Sequence, residues 1–160
     1  DRLNAAYGTE KARQILAAHR HEAPVDFTVK TDPALWAERL GGILLPTGTV
    51  RVQKLSASVT ELPGFEDGAW WVQDAAASLP ARLFGDVRGL RVADLCAAPG
   101  GKTAQLILGG ATVTAIDSSK NRLARLTQNL ERLALSAEIV QADLLKYEPE
   151  QLFDAVLLDA

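Results

Sequence analysis

Apolar and polar positions along this chain switch between two periods, and each switch marks an element. Ala12, Ile15, Leu16 and His19 recur at helical spacing, so residues 1–21 are expected to hold a helix with Thr9 as its N-cap. Pro24 breaks that pattern, and Val25, Phe27 and Val29 then alternate as a strand does. Asp32 and Pro33 set up a second helix, a capping acid followed by the residue best suited to a first helical position. It runs through Trp36 to Leu40 and stops at Gly41 and Gly42. Trp36 shares an apolar stripe with Leu40 and is read as core. Residues 43–62 read as short strands and turns, punctuated by Pro46 and Gly48, with Val50 and Val52 alternating around Arg51.

The pattern changes character after a turn-rich loop at residues 63–68. Trp70 and Trp71 enter a short strand, and Gln73 and Asp74 open a helix that Asp74 caps and Pro80 must kink or restart. Residues 90–95 form a brief apolar run suited to a buried parallel strand, and 96–101 are small residues that let backbone approach a ligand. Residues 102–108 look helical, and Gly109 and Gly110 stop them. A second apolar run at 111–116 delivers Asp117. Ser118 or Ser119 then caps a long helix with Leu123, Leu126, Leu130 and Leu133 on one face. Residues 137–141 and 153–158 are the third and fourth strands, leading to Asp143 and Asp159. Strands alternating with helices predict a Rossmann-like α/β sheet over residues 64–160, preceded by a small α/β accessory module at 1–63.

With 160 residues, 48% of them hydrophobic, the chain can bury a real core. The formal net charge of -3 offers no global positive field for nucleic acid, so an RNA partner would need a local basic patch. Lys30, Arg51 and Lys54 are candidates in the first module, although scattered basic residues are by default a solvated face. The single cysteine cannot form an internal disulfide, which fits a reducing cytoplasm. No apolar stretch approaches ~18 residues, so no membrane span is expected. The chain contains no methionine and is read as a piece whose natural start and end lie outside it. His19 and His21 read as helix-end and loop residues, because no cysteine or third histidine stands near to complete a metal set.

The chemistry concentrates in residues 90–117. A turn of small residues between a strand and a helix offers backbone N–H groups and a helix N-terminus, and the acid ending the next strand can hold a ribose. A dinucleotide fingerprint needs three spaced glycines, and only Gly100 and Gly101 are present. A phosphate-binding loop fits the end Gly101, Lys102, Thr103 but meets Cys96 where its first glycine belongs. The strand ending at Asp159 could then pass for the metal-binding acid of such an enzyme. A methyl donor such as S-adenosylmethionine also suits the plan. Asp117, Asp143 and Asp159 stand at three successive strand ends, where open α/β sheets bind ligands, and the repetition argues for one site.

The run Asp94, Leu95, Cys96, Ala97, Ala98, Pro99, Gly100, Gly101, Lys102, Thr103 resembles the cofactor loop of the RNA cytosine-5 methyltransferases of the Sun/Fmu type, in particular the bacterial branch acting on 16S ribosomal RNA. Further matches follow in order: Leu62 to Phe65, Trp71 to Ser78, Asp117 with Arg122 and Leu123, and Leu157 to Ala160. The resemblance implies S-adenosylmethionine as cofactor and RNA as partner. Cys96, Ala97, Ala98, Pro99, Gly100, Gly101 and Lys102 would hold the methionine part of the donor, Asp117 the ribose hydroxyls, Asp143 the adenine side, and Asp159 the reactive end. The residue chemistry alone agrees on the loop and Asp117 and leaves Asp143 and Asp159 undivided. In the family a cysteine thiolate adds to C6 of the base, and the resemblance puts that cysteine beyond Ala160, so no catalytic nucleophile is expected in this chain. Residues 153–158 should form an open apolar edge prone to self-association. A P-loop-like nucleotide enzyme and a non-catalytic RNA- or protein-binding module remain the alternatives.

Overall fold

The computed structural model describes residues 2–20 and 22–159. The N-terminal helix is two helices, α1 (Arg2–Tyr7) and α2 (Thr9–Ala18). Gly8 separates them with a positive φ of 76°, and it occupies the cap position expected of Thr9, with no side-chain cap bond. The helix expected behind Thr9 is thus present and starts one residue earlier, and a left-handed glycine separates it from the additional α1. His19 closes α2, and His21 lies outside the described residues.

β1 (Val25–Val29) follows, then α3 (Pro33–Arg39), which starts as expected, with the Asp32 carboxylate accepting from the Leu35 N–H at 3.1 Å. β2 (Ile43–Leu44) and β3 (Val50–Val52) form a hairpin, a 3-10 turn (Val59–Glu61) leads to the loop, and β4 (Trp70–Val72) closes an antiparallel sheet of order β2-β3-β1-β4. The fourth strand of this first sheet therefore comes from beyond residue 63. Its core gathers Phe27, Trp36, Leu40, Val50, Val52, Leu62 and Trp70. The alternation of β1 is only half informative, because Asp26 and Thr28 are buried as well, on the face turned toward the second half of the chain.

The helix expected from Gln73 is reduced to turns over residues 75–78 and a short α4 (Leu79–Arg82) with Pro80 in its first turn. Asp74 does cap, accepting from the N–H groups of Ala76 and Ala77 at 2.8 and 3.3 Å. After that come β5 (Arg91–Leu95), α5 (Gly101–Leu108), β6 (Thr112–Asp117), α6 (Lys120–Arg132), β7 (Glu138–Gln141) and β8 (Ala155–Leu158). The four strands are parallel in the order β7-β6-β5-β8, with Leu95 beside both Ile116 and Leu158. Central β5 is covered on both faces, so Val92, Ala93 and Asp94 are all buried. Ser119 caps α6, and its four leucines, Leu123, Leu126, Leu130 and Leu133, are buried as the heptad-like spacing requires. β8 is an edge strand, leaving Val156 and Leu158 exposed.

The two sheets are pinned together at the end of α6. Arg132 donates to the carbonyls of Phe65 and Trp70 at 2.7 and 3.2 Å and lies 4.2 Å over the Phe65 ring, while Lys30, just after β1, donates to the Leu133 carbonyl. Gly68 makes this approach possible: a Cβ there would sit 2.1 Å from the Arg132 carbonyl oxygen. Among the described residues no helix is long and apolar enough to cross a membrane.

Candidate functional site

β5 hands the chain to a loop whose backbone few residues tolerate. Cys96 takes a left-handed φ of 63°, the Ala98–Pro99 bond is cis, and Gly100 takes a φ of 102° before Gly101 begins α5. A Cβ on Gly100 would lie 3.1 Å from Leu126 Cγ as well as strain the backbone, so both the conformation and the close packing on α6 call for glycine. α6 fixes the loop by its carbonyls. Arg122 Nη2 donates to the Ala98 oxygen at 2.8 Å and Asn129 Nδ2 to the Pro99 oxygen at 2.9 Å. These two residues lie two turns apart, on one side of the helix with Leu126 between them.

A cavity of about 400 Å³ opens against this loop. It is lined by residues 96–102 with Asp94 and Asp159, by residues 71–74 with Phe65 and Ala77, and by Arg122, Asn129, Arg132 and Leu133 from α6 and its C-cap. Lys102 Nζ lies 2.8 Å from Asp159 Oδ2 in this lining. Asp94 is buried beside that pair, and Thr103 Oγ1 donates to its Oδ2 at 2.6 Å. Burial pushes the Asp94 carboxyl up to about 6, against the pull of the Thr103 hydroxyl and the Lys102 charge and with the added push of Asp159. Asp94 is thus poised to change protonation close to neutral pH.

The structure brings Cys96, Ala97, Ala98, Pro99, Gly100, Gly101, Lys102 and Asp159 together on this cavity, and it leaves Asp117 and Asp143 off its wall. Asp117 is buried at the end of β6 and joined to the loop from behind. Its Oδ1 accepts from the Ser119 N–H at 2.9 Å, and Oδ2 lies 3.3 Å from Arg122 Nη2. That approach is an ion-pair distance without hydrogen-bond geometry, since the guanidinium N–H is directed at Ala98, and Asp117 Oδ2 remains a buried acceptor with no donor. Asp143 sits farther out in a turn after β7, accepting from the Leu145 N–H at 3.1 Å with Lys146 at 4.0 Å.

Three contributors were not singled out by sequence. Asp94 is an acid inside an apolar strand, and Thr103 nine positions later is the signal that could have marked it. Asn129 is flagged only by its seven-residue offset from Arg122. Gln73 was read as a helix opener, yet it is a buried amide on the cavity wall.

Comparison with known proteins extends this geometry. The family described as 16S rRNA methyltransferase RsmB/F matches residues 86–160. The ribosomal RNA small subunit methyltransferase B of Serratia proteamaculans is 44% identical over 110 residues, covering 64% of this chain and 25% of that protein. Its counterpart in Vibrio vulnificus is 44% identical over 116 residues, 67% of this chain and 27% of that protein. The chain therefore spans about a quarter of the length of these relatives. Among solved structures, a methyltransferase homolog protein from Pyrococcus horikoshii has a TM-score of 0.72 at 27% identity, over 95% of this chain and 54% of that one. NSun6 from the same organism, solved with SFG, shares the fold at a TM-score of 0.75 and 19% identity, over 99% of this chain and 68% of that one.

Proposed function

We propose that this chain, a member of the RsmB/F family of 16S rRNA methyltransferases through its residues 86–160, is the part of an RNA cytosine-5 methyltransferase that holds S-adenosylmethionine. The observation that carries the reading is Asp117 Oδ2, a buried acceptor that accepts no hydrogen bond and has only the Arg122 ion pair, at the carboxyl end of β6 behind a loop bent by left-handed residues. A ribose hydroxyl is a donor of the kind this oxygen lacks. The loop at 96–102 suits the amino-acid end of the donor, with the α5 N-terminus favouring its carboxylate and buried Asp94 its ammonium. Asp143 takes the adenine side, and Lys102 with Asp159 borders the reactive end.

Bound there, S-adenosylmethionine would supply an electrophilic methyl group; this chain's share is to bind, orient and exclude water. Arg122 and Asn129 hold the loop carbonyls so that the small-residue turn keeps its shape. The Lys102 ammonium pairs with Asp159 at 2.8 Å and fixes that side chain beside the place where a cytosine would enter. Cys96 belongs to the donor side of the site, and the nucleophile that adds to C6 is assigned to residues after Ala160. Action on an RNA substrate of this class would be cytoplasmic. The exposed β8 edge is where self-association would occur.

The P-loop alternative makes the opposite demand on the same residues, since Lys102 would face phosphates and Asp159 a metal. Isothermal calorimetry separates the two. S-adenosylmethionine and its demethylated product should bind, and ATP with magnesium should not; magnesium-dependent ATP binding with no methyl-donor binding would overturn the reading.

A further inference from the structure

Gln73 is buried between the two sheets, and all four hydrogen-bonding positions of its amide are filled from different segments. Oε1 accepts from Thr28 Oγ1 of β1 and from Trp71 Nε1 of β4, both at 2.9 Å. Nε2 donates to Gln105 Oε1 of α5 at 2.8 Å and to the Ala77 carbonyl at 3.3 Å. Its backbone N–H donates to the Asp26 carbonyl of β1 at 3.0 Å, and Gln105 Nε2 donates onward to the Ser78 carbonyl at 3.0 Å. A primary amide offers two donors and two acceptor sites, and here all four are used.

The junction bears on the first turn of α5 at two points. Gly101 has its backbone against the cluster: a Cβ there would come within 3.3 Å of Trp71 Nε1 and 3.5 Å of the Gln73 amide carbon. Gln105, one turn later on the same face, takes the hydrogen bond. Between them lies Lys102, which reaches Asp159 at 2.8 Å. Gln105 itself is off the cavity wall, behind the helix.

We infer that Gln73 and Gln105 are positioning residues: through their amide pair the first sheet sets where the first turn of α5 sits, and with it the 96–102 loop and its affinity for the methyl donor. The accessory module thereby acts on donor binding as well as on packing. This rests on the donor site proposed above.

The test uses Gln105→Met, which cannot touch a ligand in the cavity, beside Gln73→Met and the double variant, each checked for folding by circular dichroism. Gln105→Met should weaken binding of the demethylated donor product about fivefold, the scale of one lost hydrogen bond. Gln73→Met should weaken it more, and the double variant no further than Gln73→Met alone. Amide hydrogen exchange in the ligand-free chain supplies an arm independent of the donor: Gln105→Met should speed exchange at residues 100–104 and leave Phe27 unchanged. A folded Gln105→Met with parental exchange at residues 100–104, or with parental affinity where the parent binds, overturns the inference. A parent that binds no donor but shows the exchange effect defeats the donor-site reading and leaves the positioning role standing. Should Gln73→Met not fold, Gln105→Met decides alone.

Discussion

Trp70 and Trp71 are neighbours in β4 and lie in different hydrophobic cores. Trp70 stands edge-on to Phe27, ring centroids 4.7 Å apart, in the core of the first sheet. Trp71 points the other way, as successive strand residues must, into the core built on Ala98, Leu126 and Leu130. One strand thus serves both halves, and the halves should unfold together. Trp70→Ala removes a fully buried ring and is expected to cost about 3 to 5 kcal/mol. Urea denaturation should show a single transition, displaced in Trp70→Ala as a whole; two separated transitions would contradict the shared strand.

Asp94 makes the free chain less stable as pH rises. Its folded value of about 6 lies above the ordinary 3.8, so the favourable contribution of the protonated carboxyl is complete below about 4 and is lost as pH rises through about 6. The difference in unfolding free energy between parent and Asp94→Asn should therefore change by on the order of 2 to 3 kcal/mol between pH 4 and pH 7. Thr103→Val removes the hydroxyl that donates to Asp94 and should move the carboxyl higher still. Carboxyl carbon shifts in an NMR titration check both statements.

Donor affinity should run the other way. If ionised Asp94 faces the donor ammonium, binding strengthens as pH rises through about 6 and Asp94→Asn loses that dependence. Calorimetry at pH 5 and pH 7.5 gives the sign, and a flat profile in the parent would remove Asp94 from the donor's amino-acid end.

How far these features were legible depends on where each residue finds its partners. The parallel strands were readable because β5 and β6 are short apolar runs ended by small or turn-forming residues, and the Asp32 cap because its acceptor and donor lie three positions apart. The helix expected from Gln73 begins only at Leu79, since the side chains of Asp26, Thr28 and Gln105 hold residues 73–78 in a different shape, and no local pattern announces them. Asp94 was quoted within a motif without a role because burial, a property of the folded sheet, is what sets its chemistry. Asp143 illustrates the converse: its place at a strand end was readable, and the structure puts it outside the cavity that the other candidates share.

Asp117→Ala should weaken donor binding more than Asp143→Asn. Asp117 is buried with one oxygen lacking a donor, whereas Asp143 is exposed and already bonded within its own turn. Leaving ribose hydroxyls without a partner in a closed site costs roughly 1 to 3 kcal/mol. Asp143→Asn keeps an acceptor oxygen and should lose less. Parental affinity in Asp117→Ala would show the ribose assignment to be wrong.

This chain alone should not methylate RNA, and its single thiol is the reason to test it. Cys96 opens the loop between β5 and α5 with a φ of 63°, on the wall assigned to the methyl donor. Methyl transfer needs the attacking C5 of the base in line with the methyl group and opposite the departing sulfur, so a thiol on the donor's own loop is badly placed to add to C6 of the incoming base. Cys96 therefore contributes shape to the turn, and Cys96→Ser should leave the chemistry largely intact in a protein that contains the nucleophile. Incubation of this chain with labelled donor and unmodified 16S ribosomal RNA should yield no labelled product. A longer protein extended past Ala160 should transfer the label, and should continue to do so as Cys96→Ser. Transfer by the short chain, abolished by Cys96→Ser, would instead make Cys96 the nucleophile and reverse the assignment of the two sides of the site.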